Sequence, residues 1–414
     1  MRIGVIGSGI SGLSAGWLLS QHHDVVLFEK DTRVGGHSNT ITVAHKGKSI
    51  PVDTGFIVFN EKTYPHLMNL FRHLDVPYHA SDMSFGITSP TLEYSGRTLG
   101  SLFAQKANIL NFPFWKMLKD IICFNGCASR ADPEDFSLSL EEYVDQCGVS
   151  HFFKEYYLYP MVSAIWSTPQ SVMRDYPAAS FLAFFQNHGL LQARNQPQWY
   201  TVTGGSQVYV RKILQQFQGT VCLNEGVQNI FTKDGQVHVR THKKVYVFDQ
   251  VILATHGDES AQLLEDTSQG EVLKQFSYST NKAYLHSDSS FMPRAKKAWA
   301  SWIYTLSKDS LQDSPNTTTL TYWMNSLQFP RETLPLFVTL NPSKAPDNIH
   351  YQTTYKHPMY DAQSIKAQRD VQDMQGKDGI WFCGAYLGYG FHEDGLRSSI
   401  EACKRLGVNP PWVS

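Results

Sequence analysis

Three glycines, in the run Gly7-Ser8-Gly9-Ile10-Ser11-Gly12, stand between a short β-branched strand, Arg2 to Ile6, and an apolar stretch, Leu13 to Ser20, that reads as helix. A chain that turns in this way aims the free N–H groups of a helix N-terminus at one point, and a pyrophosphate is the anion such a turn holds. Gly7 permits the tight turn, Gly9 lets the backbone approach the pyrophosphate, and Gly12 lets helix and strand pack closely. A second strand, Val25 to Phe28, ends at Glu29, about twenty residues on, where a carboxylate can hold a ribose diol. An acid rather than a base at that position argues against a 2′-phosphate. The glycine pattern alone is weak evidence, but strand, helix and acid together make this a dinucleotide site.

The next residues choose between dinucleotides. Glu29-Lys30-Asp31-Thr32-Arg33-Val34-Gly35-Gly36-His37-Ser38 carries a glycine pair five residues after the acid's neighbour Lys30. This run resembles the extended signature of the flavin amine oxidase and phytoene desaturase superfamily. The resemblance implies FAD, with Lys30, Arg33, Gly35, Gly36, His37 and Ser38 along it and the arginine in contact. Further pieces of that superfamily's flavin domain follow in order. Val52-Asp53-Thr54-Gly55-Phe56 matches the segment beside the flavin ring, which implicates Gly55 and Phe56. Thr203-Gly204-Gly205-Ser206 precedes an amphipathic helix, and Val227 falls where the adenine is touched by backbone. Asp249 to His256 resembles the return to the nucleotide sheet, with Thr255 near the cofactor and His256 in place of the usual glycine. Gly384-Ala385-Tyr386, then Gly388-Tyr389-Gly390-Phe391-His392-Glu393-Asp394-Gly395-Leu396, resembles the loop and helix that bind the ribityl chain and pyrimidine edge. Gly384, Tyr386, Glu393, Asp394, Gly395 and Leu396 are thereby implicated. Family members with a covalent flavin use a cysteine upstream of this loop; Tyr355-Lys356-His357-Pro358 has none, so the FAD is expected to be non-covalent.

Elements must hold these pieces together, and their order gives the fold expected: α/β, with a Rossmann-type FAD-binding domain built from residues 1–80, 201–262 and 376–414. Residues 81–200 and 263–375 are left for an α+β substrate domain of the amine-oxidase kind. The first of these segments is mainly helical by pattern and dense in aromatics such as Phe114, Phe153, Trp166, Phe181, Phe184 and Phe185; most of that is core. The second alternates as strands do, in Lys282-Ala283-Tyr284-Leu285-His286 and Thr319 to Met324. A helical cap over a β-sheet floor is expected.

Composition narrows the function. With 36 basic and 37 acidic residues the chain offers no bulk charge for nucleic acid or anionic lipid, so a peripheral membrane contact would have to be local and apolar. Six scattered cysteines show no metal spacing and no disulfide framework. No run of about eighteen apolar residues predicts a membrane span, and a cytoplasmic location is expected. Lys282 stands where amine oxidases place a lysine that holds water at the flavin, and His392, beside Glu393 and Asp394, is the preferred acid–base candidate; His286 and His357 are others. The loop from Gly384 to Gly395 and Leu285-His286-x-Asp288 are most similar to a bacterial subgroup of NAD/FAD-binding amine-oxidase-like proteins. These are associated with cyclopropane fatty-acid synthases, which are lipid-modifying methyltransferases, and include flavin-dependent fatty-acid desaturases. That resemblance implies an oxidoreductase taking hydride from the acyl chain of a lipid. Oxidation of a small amine, and a non-catalytic flavin-bearing scaffold, are the competing readings.

Overall fold

The computed structural model describes residues 1–130, 138–187, 197–306, 319–329 and 332–412. Parts of both segments expected to form the substrate domain thus lie outside the described residues.

Short β-branched runs flanked by glycine turns become buried parallel strands, because both faces of a parallel sheet are covered. Five such strands form one sheet in the order Thr220–Cys222, Asp24–Phe28, Arg2–Ile6, Gln250–Leu253, Ile380–Phe382. Helix Ile10–Ser20 is buried along its whole length against one face, with the C-terminal helix His392–Arg405 beside it. The two helices touch through small groups: Ser14 Oγ lies 2.6 Å from Ser399 Oγ, and a Cβ on Gly395 would come within 2.7 Å of Ser11 Oγ.

A second sheet has seven strands, in the order Ile349–Met359, Ser277–His286, Phe337–Leu340, Thr319–Trp323, Trp302–Thr305, Phe85–Thr88, Glu93–Ser95. It is antiparallel except where Trp302–Thr305 runs parallel to Phe85–Thr88. Residues 81–200 are therefore not purely a helical cap; they contribute two strands before helices such as Phe112–Ala128, Tyr159–Trp166 and Ala178–Asn187. Those helices enclose an aromatic core containing Phe114, Phe124, Phe153, Tyr159, Phe181 and Phe185. The expected domain limits at 80/81 and 200/201 fall inside strands Tyr78–Ser81 and Trp199–Val202, which pair with each other. The limits in the later segment differ from the expectation. Leu273, Ala367 and Val371, on helices Ser268–Leu273 and Ala362–Asp373, and Phe276 just beyond the first of them pack with Ile6, Phe28 and Phe382 of the parallel sheet, which has a second apolar face to cover. Cys127 and Cys147, 20 residues apart, are brought together with their sulfurs 2.8 Å from each other.

Candidate functional site

The glycine turn closes on the end of the parallel sheet. A Cβ on Gly12 would fall inside the Gly7 carbonyl, which is the close helix–strand approach its position predicts. Gly9 caps helix Ile10–Ser20 without a side chain and has open space where a Cβ would stand, and Gly36 passes so close that its Cβ would come within 3.0 Å of the Gly9 Cα. The groove between these glycines thus presents the N–H groups of Ile10, Ser11 and Gly12 with no capping side chain in front of them. The N-terminus of helix His392–Arg405 arrives at the same place through Gly395, so two positive helix ends converge.

Glu29 is buried at the tip of its strand. One of its oxygens accepts from the Ser8 amide at 3.1 Å and from the Ser8 hydroxyl, and the other accepts the Asp31 amide at 2.9 Å. The chain from Asn224 to Val227 runs beside it, with the Glu225 amide donating to the Glu29 carbonyl at 2.9 Å. Thr255 approaches Gly7 through its methyl group. Arg33 folds back on its own loop and donates to the Gly36 carbonyl at 2.8 Å. Gly55 crosses directly over the His37 carbonyl, which accepts the Phe56 amide at 2.9 Å.

Beyond this groove the two sheets meet, and their junction is rich in histidine. His37 stacks on Tyr355 with ring centres 4.8 Å apart and lies 5.8 Å from both His256 and His357. Tyr355 donates or accepts at Thr54 Oγ1 (2.7 Å) and accepts from Asn39 Nδ2 (3.0 Å). Asn281 lies 3.3 Å from His357 Nδ1. His256 stacks on Tyr278, and its Nδ1 is buried with no partner. Burial pushes all three imidazoles down, His357 to about 4, and the neighbouring histidines add to the shift at His37 and His357. Among the described residues no group of side chains forms a metal site.

His392 sits inside the fold of the site rather than at an open face. Its ring lies flat on Phe56 at 3.8 Å between centres, and its Nε2 is 2.9 Å from Ser38 Oγ and 3.2 Å from the Tyr209 hydroxyl. Burial lowers its pKa to about 3, which favours the neutral imidazole.

Several residues expected at the cofactor are engaged elsewhere. Lys282 is exposed. Side chains alternate along Ser277–His286, so the face that carries Asn281 and Ala283, opposite Tyr355 and Thr353, excludes Lys282, which pairs with Thr354 on the other face. Asn281, and not Lys282, is the residue of this strand that faces the histidine junction. Glu393 accepts the His66 and Leu67 amides at 2.9 and 3.0 Å and so caps helix Pro65–His73. Asp394 accepts the Tyr389 and Phe391 amides (3.0 and 3.1 Å) and pairs with Arg397 (3.1 Å), which shapes the loop before the helix. Tyr386 is buried against Phe276, Leu396 is core, and Lys30 is paired with Glu259 at 2.6 Å. Asn39, Tyr355, Asn281 and Tyr209, which line the junction, carry no local motif; only the register of distant strands brings them there.

The aromatic helices reach this junction too. Phe184 stacks on Phe391 at 5.0 Å between ring centres, and the Trp166 indole donates to the Tyr389 carbonyl at 3.3 Å.

A parallel nucleotide sheet, two helix ends on one groove and an acid at the second strand define a dinucleotide-binding protein, with an aromatic and histidine-rich junction where the second sheet meets that groove. The pattern of the flavin-containing amine oxidoreductases matches residues 10–407, and the chain belongs to that family. FAD is its cofactor and it is an enzyme, which sets aside the scaffold reading. In fold it is similar to a conjugated-linoleic-acid-producing fatty acid isomerase from P. acnes, at 14% identity and a TM-score of 0.71, covering 98% of this chain and 99% of that one. It is also similar to the cyclohexylamine oxidase of Brevibacterium oxydans, at 14% identity and a TM-score of 0.68 over 98% and 99% of the two chains. Over 36 residues it is 58% identical to an uncharacterized protein of Methanocaldococcus jannaschii, a stretch that spans only 9% of either chain.

The residues present fit FAD: the unoccluded groove at Gly9 and Gly36 suits the pyrophosphate, Glu29 the ribose, and the unpartnered His256 nitrogen marks the junction as a place for a polar group. When bound, FAD supplies a two-electron acceptor. The backbone at Gly9, Ile10 and Gly36 would hold the cofactor's pyrophosphate, and the neutral imidazoles of His37, His256 and His357 with Tyr355 would give the adjoining junction its polarity. No helix among the described residues is long and apolar enough to cross a membrane.

Proposed function

We propose that this oxidoreductase acts on the acyl chain of a lipid, removing a hydride and a proton from neighbouring carbons to leave a double bond, the two hydrogens being taken up in the two-electron reduction of FAD. The observation that carries this reading is the wall where the flavin loop meets the helices. Phe184, Phe391, Tyr389 and Trp166 pack into a largely buried apolar wall, and the adjacent carboxylates Glu393 and Asp394 are already engaged by backbone amides, which leaves them less suited to hold an ammonium. An acyl chain needs such a surface for orientation, and it has no charge for a polar site to grip. The depressed pKa of His357 makes it a weak base, in keeping with hydride removal that depends on placement more than on proton transfer. A lipid-modifying methyltransferase acting on the same chains is the partner that this chemistry suggests.

Anaerobic mixing of the holoprotein with phospholipids bearing unmodified, methylated or cyclopropanated chains tests the reading. Bleaching of the oxidised flavin band, with a new double bond in the recovered fatty acid, is expected. Bleaching by cyclohexylamine or a polyamine with none by any lipid would overturn it in favour of amine oxidation.

A further inference from the structure

Large apolar side chains left in water are scattered singly on most proteins and need no explanation. Here they are gathered. Of the eleven exposed large hydrophobic residues among those described, six fall between positions 99 and 122. Leu110 is 91% exposed, Leu99 79%, Phe112 78% and Ile122 72%, with Ile109 and Trp115 about half exposed.

They form one surface. Helix Phe112–Ala128 buries Phe114, Met117 and Phe124 on its inner side, and its outer side, where a surface helix normally carries charge, shows Phe112, Trp115 and Ile122 at helical spacing. The Trp115 indole donates to the Ile109 carbonyl at 2.9 Å, which fixes the turn carrying Ile109 and Leu110 against the helix start. The Phe103 ring lies 5.2 Å from that of Trp115 and follows the short helix Leu99–Leu102, so Leu99 extends the same patch.

Its rim is cationic. Lys106, Lys116 and Lys119 are exposed within the segment, and Lys296 and Lys297 stand on the turn Lys296–Ala298 that packs against Leu99–Leu102. The whole chain has a net charge of −1, so five lysines around one apolar patch are a local feature and not an echo of composition. Leucine, phenylalanine and tryptophan projecting from a helix, with lysines level around them, match a bilayer interface whose headgroups are anionic and whose acyl region lies just beneath. A protein partner would bury the apolar residues but gives no reason for the ring of lysines.

We propose that the surface formed by residues 99–122 together with Lys296 and Lys297 docks the enzyme on the face of an anionic lipid bilayer. The surface stands on its own exposed residues and does not depend on which substrate the flavin oxidises.

Flotation of the holoprotein with vesicles of phosphatidylcholine alone, and of phosphatidylcholine mixed with phosphatidylglycerol, tests this without turnover. Strong binding to the mixed vesicles is expected, weakened by salt. Leu110→Glu with Phe112→Glu alters only exposed side chains and should lower binding at least roughly tenfold, while Lys106→Glu with Lys119→Glu should lower binding to anionic vesicles by roughly fivefold per charge removed. Flavin content and melting temperature of the variants report that the fold is intact. Absence of vesicle binding, binding indifferent to both pairs of substitutions, or a wild-type dimer that Leu110→Glu with Phe112→Glu turns into monomer would each overturn the proposal. An enzyme that binds vesicles and desaturates nothing would leave the surface standing and remove the substrate reading alone.

Discussion

Glu393 couples pH to the fold through a single contact. Its carboxylate accepts two amides at the start of helix Pro65–His73, yet burial outweighs that benefit and pushes its pKa from 4.5 up to about 7. The unfolded chain releases this proton near pH 4.5, whereas the folded chain keeps it until about 7. Stability from this group is therefore fully present below 4.5 and is lost as pH rises through the window to about 7. A displacement of that size corresponds to about 3 kcal/mol. With an unfolding entropy of about 2.1 cal/mol/K per residue, a chain this long would lose roughly 3 to 4 °C of melting temperature. Glu393→Gln removes the ionisation and keeps one acceptor for the two amides. The variant should match or fall slightly below the wild type in acid and gain on it by roughly 3 °C as pH rises to neutrality and beyond. Melting followed by circular dichroism with FAD in excess, across that range, reads the difference directly. Parallel melting curves for the two proteins would refute the coupling, and a variant that loses flavin at every pH would show that the carboxylate serves the cofactor instead of the helix.

Three further outcomes follow from the geometry. Gly12→Ala drives a methyl group into the Gly7 carbonyl, and it should lower the ratio of flavin to protein absorbance in the purified protein and destabilise it by several kcal/mol, on the order of an overpacked core substitution. Lys282→Met should leave both flavin reduction and its reoxidation by oxygen unchanged in stopped-flow traces, since the ammonium lies on the outer face of the sheet; a marked fall in reoxidation would place that side chain in the chamber after all. The depressed histidines act opposite to Glu393: their contribution is present above the unfolded value of 6.5 and is lost as pH falls toward about 4 for His357 and about 3 for His392. His357→Gln should accordingly flatten the acid side of the stability profile, measured by release of flavin fluorescence, and an unchanged acid side would exclude this histidine as a source.

The nucleotide groove was legible because its parts are local. A glycine turn, the strand before it and the acid after it lie within about thirty residues and answer to backbone geometry alone. The junction was not, because it depends on which residue of a strand faces inward. Lys282 and Asn281 are neighbours in sequence, and the lysine carries the more suggestive chemistry. The pairing of Ser277–His286 with Ile349–Met359 decides for the asparagine, and a shift of one residue would reverse it. Glu393 and Asp394 stand in the first turn of helix His392–Arg405, but nothing local reveals that a helix start 327 residues away claims the first of them. The helices carrying Leu273 and Val371 show an apolar stripe without saying which sheet it covers.

The parallel sheet draws its central strand from residues 2–6 and an edge from residues 380–382, and helix Ile10–Ser20 packs most extensively on the helix that begins at His392. On a ribosome the order of events is thereby fixed. At about 5–20 residues per second the first strands wait tens of seconds for their last partner. Throughout that interval the apolar flank of the sheet is uncovered and the cofactor groove has one of its two helix ends missing. A groove with both helix ends in place exists only once residues 380–405 have joined the sheet, so completion of the cofactor groove coincides with the covering of that apolar flank.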